Sequence, residues 1–216
     1  MFIEVPRTII AAAGIDTACI TEMYFGDSYL LRKFFWLRLR FLYRAIRRHA
    51  RARDKCLDFG GGSGAFLPTL CRHFGQVSCI DLDTAPAAAV QREYRLANLT
   101  IRQADIRTAV LPEAPFGAIV AADVLEHFAE LASAVAALRQ WLRDDGFLFT
   151  SLPTETGFYV ALRRVFGITK PVDHYHTGYA VEAYLAANGF RRVEQRCVPL
   201  IAPLLPLFLI SVWRKA

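Results

Sequence analysis

The stretch "KCLDFGGGSGAFLPTL", Lys55 to Leu70, interrupts an apolar run with three consecutive glycines, a serine and a fourth glycine, then resumes as a helix-like apolar segment. Glycine costs roughly 0.5–1 kcal/mol at an interior position relative to alanine, so four within five residues are not filler. A strand that feeds a helix through such a turn brings backbone N–H groups and the helix N-terminus close to a ligand. Gly60, Gly62 and Gly64 satisfy G-x-G-x-G. With Ala65 they also satisfy the G-x-G-x-x-G/A spacing of dinucleotide-binding turns, so the glycines alone do not choose the ligand.

Neighbouring acids choose it. Asp58 stands two residues before Gly60, at the strand's end, where a carboxylate receives an ammonium group and repels a pyrophosphate. Asp81 closes the next strand, and a carboxylate there accepts both ribose hydroxyls. Asp105 closes the third and suits an adenine amino group. A ligand that is cationic, carries ribose and adenine, and lacks phosphate fits all three. S-adenosylmethionine is such a ligand.

Strand and helix alternate outward from the turn. Cys56–Phe59 reads as a strand, Ala65–His73 as a helix, Gln76–Asp83 as a strand and Ala85–Asn98 as a helix. Leu99–Asp105 and Phe116–Asp123 are two more strands, the second an unbroken apolar run of the kind found in a parallel sheet covered on both faces. Leu131–Arg143 is a helix and Gly146–Pro153 a fifth strand. This rhythm predicts a doubly wound sheet with helices on both faces. Thr177 caps a last helix running to Asn188, closed by Gly189. Phe190–Ile201 and Leu207–Ala216 follow with no helix between them, so they are expected to pair antiparallel.

At 216 residues, 54% of them apolar, the chain is read as one core-forming domain rather than a disordered one. Its five cysteines form no C-x-x-C pair and sit mostly in apolar runs, which predicts buried, reduced thiols in the cytoplasm. No secretion signal is read in the first twenty residues. The net charge of +6 comes largely from Leu30–Lys55. On a helical wheel Lys33, Arg40, Arg44, Arg47 and Arg51 share one face, and Leu31, Phe34, Phe35, Phe41, Leu42 and Ile46 another. Residues 1–54 are therefore read as an N-terminal helical segment, a lid or a basic amphipathic helix over Leu30–Arg53. Such a helix either attaches reversibly to an anionic membrane, at its inner face, or packs on the domain with a solvated basic face.

The chain resembles the class I S-adenosylmethionine-dependent methyltransferases of small-molecule type. "LDFGGGSG" is similar to that family's first motif, "CIDLD" to its acidic second strand end, and "QADI" to its adenine-contacting segment. "FGAIVAADVLEHF" resembles its fourth-strand motif. "LRQWLRDDGFLFTSLPTE" resembles its following helix, turn and fifth strand, with Arg143-Asp144-Asp145-Gly146 in place of the usual lysine-proline-glycine-glycine. "ANGFRRVE" resembles the approach to its final antiparallel pair. The resemblance covers residues 55–216 and implies a Rossmann-like, mostly parallel seven-stranded sheet whose last strand runs antiparallel between its neighbours. It implies cofactor contacts at Asp58, Gly60, Gly62, Gly64, Asp81, Leu82, Asp105, Ile106 and Asp123.

His127 follows the fourth strand, and His174 lies in the insert 154–176 where this family admits its acceptor; both are candidate general bases. No metal site is expected, since His174 and His176 beside Asp173 are only two imidazoles on one short loop. Nucleic acid is not the expected acceptor. Ala122-Asp123-Val124-Leu125 replaces the Asn/Asp-Pro-Pro-aromatic segment of nucleic-acid amino methyltransferases, and the Pro-Cys nucleophile of cytosine-C5 enzymes is absent. Phe158, Tyr159, Leu162, Val165 and Phe166 favour a small apolar or lipid-like acceptor. The rival expectations are a nucleotide-dependent oxidoreductase and an S-adenosylmethionine-binding membrane-surface protein without catalysis.

Overall fold

The computed structural model describes residues 1–6, 8–9, 24, 29–157, 159–160, 174–198 and 206–216. Seven strands, β1 (Lys55–Phe59), β2 (Gln76–Asp81), β3 (Leu99–Gln103), β4 (Phe116–Ala122), β5 (Leu142–Pro153), β6 (Phe190–Val198) and β7 (Phe208–Lys215), form one sheet in the order β3-β2-β1-β4-β5-β7-β6. β1 to β5 pair in parallel, and β7 is antiparallel to both β5 and β6. The expected architecture is the observed one. A doubly wound dinucleotide fold has no such antiparallel strand inserted next to its edge.

Five helices cover the sheet: α1 (Tyr29–His49), α2 (Leu67–His73), α3 (Ala85–Tyr94), α4 (Leu131–Trp141) and α5 (Gly178–Ala187). Strand alternation sends Cys56, Val77, Cys79, Val120 and Phe149 into one core with α1 to α3, and Leu57, Phe59, Ile80, Ile119 and Leu148 into the other with α4 and α5. Proline in the first turn of α2 and α3 occupies the position whose N–H has no helical partner. Thr177 caps α5, its Oγ1 accepting the Ala180 N–H at 3.2 Å. Glu182 ties α5 to the antiparallel edge, accepting from Arg192 Nη1 at 2.7 Å and Gln195 Nε2 at 2.6 Å.

Several boundaries differ from expectation, most plainly three helix ends. α3 stops at Tyr94 because Arg95 takes a left-handed conformation (φ +50°) that breaks the ladder. α4 ends at Trp141, and the Arg143–Gly146 segment belongs to β5 as an irregularity opposite Phe116 and Ala118. α1 ends at His49, leaving Arg51 in a turn where its N–H donates to Asp54 Oδ2 at 3.1 Å. Cys56, Cys71 and Cys79 are buried free thiols, while Cys19 lies outside the described residues.

α1 spends its apolar face inside. Leu39, Leu42 and Ile46 are buried, Phe41 is 8% exposed, and Phe34 and Phe35 are partly buried against the same core. Lys33, Arg40, Arg44 and Arg47 remain exposed. No described helix is long and apolar enough to cross a membrane.

Candidate active site

The glycine turn joins β1 to α2, and the chain's own neighbours explain each glycine. Gly60 has φ +75°, and a Cβ there would collide with Val124. A Cβ on Gly61 would collide with the Asp58 carboxylate, and one on Gly62 would lie 2.5 Å from the Asp83 carbonyl oxygen and 2.7 Å from Asp81 Cγ. Gly64, at φ +68°, lets α3 approach, with Ala87 Cα 3.0 Å from the absent Cβ. Asp81 clamps the turn: Oδ2 accepts the Gly62 N–H at 2.9 Å and Oδ1 the Asp83 N–H at 3.2 Å.

Asp58 lies under this turn, 4% exposed. Burial, reinforced by the nearby Asp81 charge, pushes its carboxyl up to about 7. A buried carboxylate beside a second acid fits an ammonium group and opposes a phosphate. Leu82 and Asp105 flank the same end of the sheet, where the Ala104 N–H donates to Asp81 O at 3.0 Å. Asp105 is gripped by Arg107, which donates from Nε at 3.0 Å and Nη2 at 2.6 Å and holds the carboxyl down at about 2. Ile106 is buried behind it, and Leu82 is exposed with its carbonyl accepting from Gln103 Nε2 at 2.9 Å. Asp58, the three glycines and Asp81 thus meet at one turn, with the adenine-side candidates beside it.

Asp123 belongs to a second group of residues. It follows β4 with φ +52°, its N–H donating to Ser151 O at 2.9 Å, and its carboxylate forms an ion pair with Arg38 from α1. Arg38 is 1% exposed. It also donates from Nη1 to Ser151 Oγ at 3.2 Å and from Nη2 to the Tyr24 hydroxyl. Its guanidinium carbon lies 4.9 Å from the Phe35 ring centroid and 5.0 Å from that of Phe208. Tyr159, the described member of the insert's aromatic set, meets Phe208 edge-on at 5.9 Å. Phe158, Leu162, Val165 and Phe166 lie outside the described residues or their described side chains. Sequence reading missed Arg38, although a helical wheel places it among Phe35, Phe41 and Leu42 rather than with the other cations.

The short 3₁₀ turn Leu125–His127 continues from Asp123. Its Glu126 is fully buried, and burial together with the Asp123 charge holds its carboxyl well above the usual carboxylate range. The Glu126 carbonyl accepts the Tyr175 N–H at 2.9 Å and the His176 N–H at 3.4 Å, which fastens the end of the insert to this turn. His127 and His174 are thereby brought edge-to-face, ring centroids 4.5 Å apart. His174 Nδ1 lies 3.1 Å from Glu155 Oε1, a residue at the end of β5 with φ +52°. A non-glycine residue in that conformation costs about 1–2 kcal/mol, which places local strain at the ends of both β4 and β5. His176 points elsewhere, Nε2 lying 3.2 Å from Ala129 O, and Asp173 lies outside the described residues.

Residues 57–150 match the family described as a methyltransferase domain. Over 147 residues the chain is 26% identical to a probable S-adenosylmethionine-dependent methyltransferase of Mycobacterium tuberculosis, covering 68% of this chain and 50% of that protein. An uncharacterized methyltransferase of the same organism is 33% identical over 82 residues, 38% of this chain and 42% of the relative. The chain thus spans about half or less of the length of the curated relatives it matches. Among solved structures, the N-methyltransferase NodS of Bradyrhizobium japonicum with S-adenosylhomocysteine aligns at TM-score 0.67 and 18% identity, covering 96% of this chain and 98% of that one. A Burkholderia thailandensis 1,6-didemethyltoxoflavin-N1-methyltransferase aligns at 0.64 and 19%, covering 100% and 94%. The matched segment runs from within β1 into β5, and β7 is inserted antiparallel as in the expected sheet; together these findings support a class I S-adenosylmethionine-dependent methyltransferase.

Proposed function

We propose that the chain transfers the methyl group of S-adenosylmethionine to a small, apolar or lipid-like acceptor by in-line displacement. The observation that carries the cofactor choice is Asp58, a buried carboxyl under a glycine turn that pairs with no cation among the described residues. When bound, S-adenosylmethionine supplies a methyl group activated by a sulfonium. Asp58 receives the ammonium, Asp81 the ribose, and Asp105 with Ile106 the adenine. Asp123, held by Arg38, borders the methyl-transfer end, and Tyr24, Phe35, Phe208 and Tyr159 supply aromatic surface beside it. His174, oriented through Glu155, is the favoured group to take an acceptor proton, with His127 next to it. Positioning the nucleophile in line with the sulfonium supplies most of the acceleration. Labelled-methyl transfer into the lipid, small-molecule and RNA fractions of a host lysate tests this: label in the apolar fraction supports it, and label in RNA overturns the acceptor class. Cofactor binding with no label anywhere would instead favour the non-catalytic alternative.

Two binding results follow from the acids. Asp81→Ala should weaken the cofactor by about 1.5–3 kcal/mol, the scale of a charge-assisted hydrogen bond. Asp81→Asn, which keeps one acceptor for the Gly62 N–H, should lose less; equal affinities across the three proteins by calorimetry would move the ribose site elsewhere. Asp58 makes binding pH-dependent. Its protonated form cannot pair with an ammonium, so the carboxyl must lose its proton as the cofactor enters. With a free-protein value of about 7, affinity should rise about tenfold from pH 6 to its plateau, with proton release on binding. Calorimetry in buffers of differing ionisation heat reads that proton. An unchanged pH profile in Asp58→Asn would remove Asp58 from the ammonium site.

The basic face of α1 gives the acceptor reading a second handle. With its apolar residues packed inside, attachment to an anionic membrane would rest on Lys33, Arg40, Arg44 and Arg47, at about 1 kcal/mol each near the surface. Flotation should show weak binding to anionic but not neutral vesicles, lost at high salt and in an Arg40/Arg44/Arg47→Glu variant. A wild type that stays unbound at low salt leaves α1 as a lid and core element alone.

A further inference from the structure

Glu126 is the most poorly satisfied charged group among the described residues. Its carboxylate is fully buried, and neither oxygen has a hydrogen-bond partner. Isolated buried carboxylates are costly and are ordinarily paired, protonated or bound to a metal. The nearby guanidinium does not hydrogen-bond it: the Nη donors of Arg38 go to Asp123, Ser151 and Tyr24, and its Nε, though buried, meets no acceptor among the described residues. Two imidazoles stand beside it instead. One ligating atom each from Glu126, His127 and His174 lie within 4.8 Å of one another. These residues come from two chain segments, and the Tyr175 and His176 N–H groups on the Glu126 carbonyl hold the segments together.

We propose that Glu126, His127 and His174 bind one divalent first-row transition-metal ion. Two imidazoles and one carboxylate match the donor set of open, three-ligand sites, which leave a position for a further ligand. Glu155 supplies the expected outer partner: with His174 Nδ1 3.1 Å from its Oε1, the ring is oriented and Nε2 is left for the ion. Metal–ligand bonds of about 2.0–2.2 Å set neighbouring ligand atoms roughly 3.0–3.5 Å apart, so side-chain rotations of about an ångström would close the present spacing. Nitrogen donors favour zinc, cobalt, iron or manganese over calcium or magnesium, which prefer all-oxygen shells. The sequence expectation of no metal arose because it weighed His174 with His176, and the fold pairs His174 with His127 and Glu126 instead.

The ion's role rests on the proposed methyl transfer: at its open position it would take an acceptor carrying a hydroxyl or carboxyl oxygen. His174 would then act as a ligand rather than as a proton acceptor. The competing state is a protonated Glu126 that needs no cation.

The test uses the untagged full chain, stripped with chelator and desalted, then titrated with cobalt chloride while visible absorption and heat are recorded. One equivalent should bind, with the ligand-field bands of a mixed nitrogen–oxygen shell. Glu155→Gln should weaken binding about 10–100-fold, as loss of an outer-shell partner does. His174→Ala should abolish the bands, and because His174 belongs to no strand or helix and to neither core cluster it decides the matter if Glu126→Gln fails to fold. Absence of saturable cobalt binding by the wild type, or one-equivalent binding unchanged in His174→Ala, overturns the site. Titration of the same stripped protein with S-adenosylhomocysteine separates the outcomes, since retained binding there leaves the methyl-transfer reading standing without the metal.

Discussion

Arg38→Met should be the most damaging single substitution in α1, lowering stability by about 3–5 kcal/mol. That is the scale for removing one partner of a buried ion pair, because the remaining charge stays desolvated. Here the survivor is Asp123, with Glu126 buried beside it and one Asp123 oxygen already lacking a partner. For a chain of this size the loss corresponds to about 10–15 °C in melting temperature. Surface cations of the same helix provide the contrast: Arg44→Met should stay within about 0.5 kcal/mol. Adding Asp123→Asn to Arg38→Met should recover part of the loss, since no uncompensated carboxylate then remains in that pair. A double-mutant cycle by chemical denaturation reads this coupling. Full additivity would mean that Arg38 acts through its aromatic packing against Phe35 and Phe208 and not through its charge.

Gly62→Val should have the largest effect on cofactor affinity. The new Cβ meets the Asp83 carbonyl at 2.5 Å and the Asp81 carboxylate at 2.7 Å, so the turn must move and the Asp81–Gly62 bond with it. Overpacking of this kind costs about 1–3 kcal/mol of stability. Losing the clamp adds about 1.5–3 kcal/mol to the cost of binding. Together with displacement of the turn's N–H groups, this should raise the dissociation constant about a hundredfold or more. The fold should survive, because the seven strands and both cores lie outside the turn. Undiminished binding by calorimetry would sever the turn from the cofactor.

The sheet was legible because its strands are short apolar runs ended by acids and turns, and because no crossover helix fits between Val198 and Phe208. The placement of the three acids was legible for the same reason: Asp58 and Asp81 stand at the ends of β1 and β2, and Asp105 two residues beyond β3. The other side was not. Arg38 reaches Asp123 across 85 positions of sequence, and Glu155, Glu126 and His174 meet only once β4, β5 and the segment before α5 are folded together. Such long-range pairings leave no local period. α1 was undecided in a different way: its aromatic face had two partners open to it, lipid or sheet, and Phe41 is buried on the sheet domain with Phe34 and Phe35 partly buried beside it.

The most direct measurement is thermal unfolding of the wild type with S-adenosylhomocysteine and, separately, with NAD. S-adenosylhomocysteine carries the same ammonium, ribose and adenine that the three acids are assigned to hold. At a hundredfold its dissociation constant it should add about 2.7 kcal/mol of stability, an effect lost in Gly62→Val, while NAD should add nothing. Stabilisation by NAD with none from S-adenosylhomocysteine would contradict the assignment of this turn and of Asp58 beneath it.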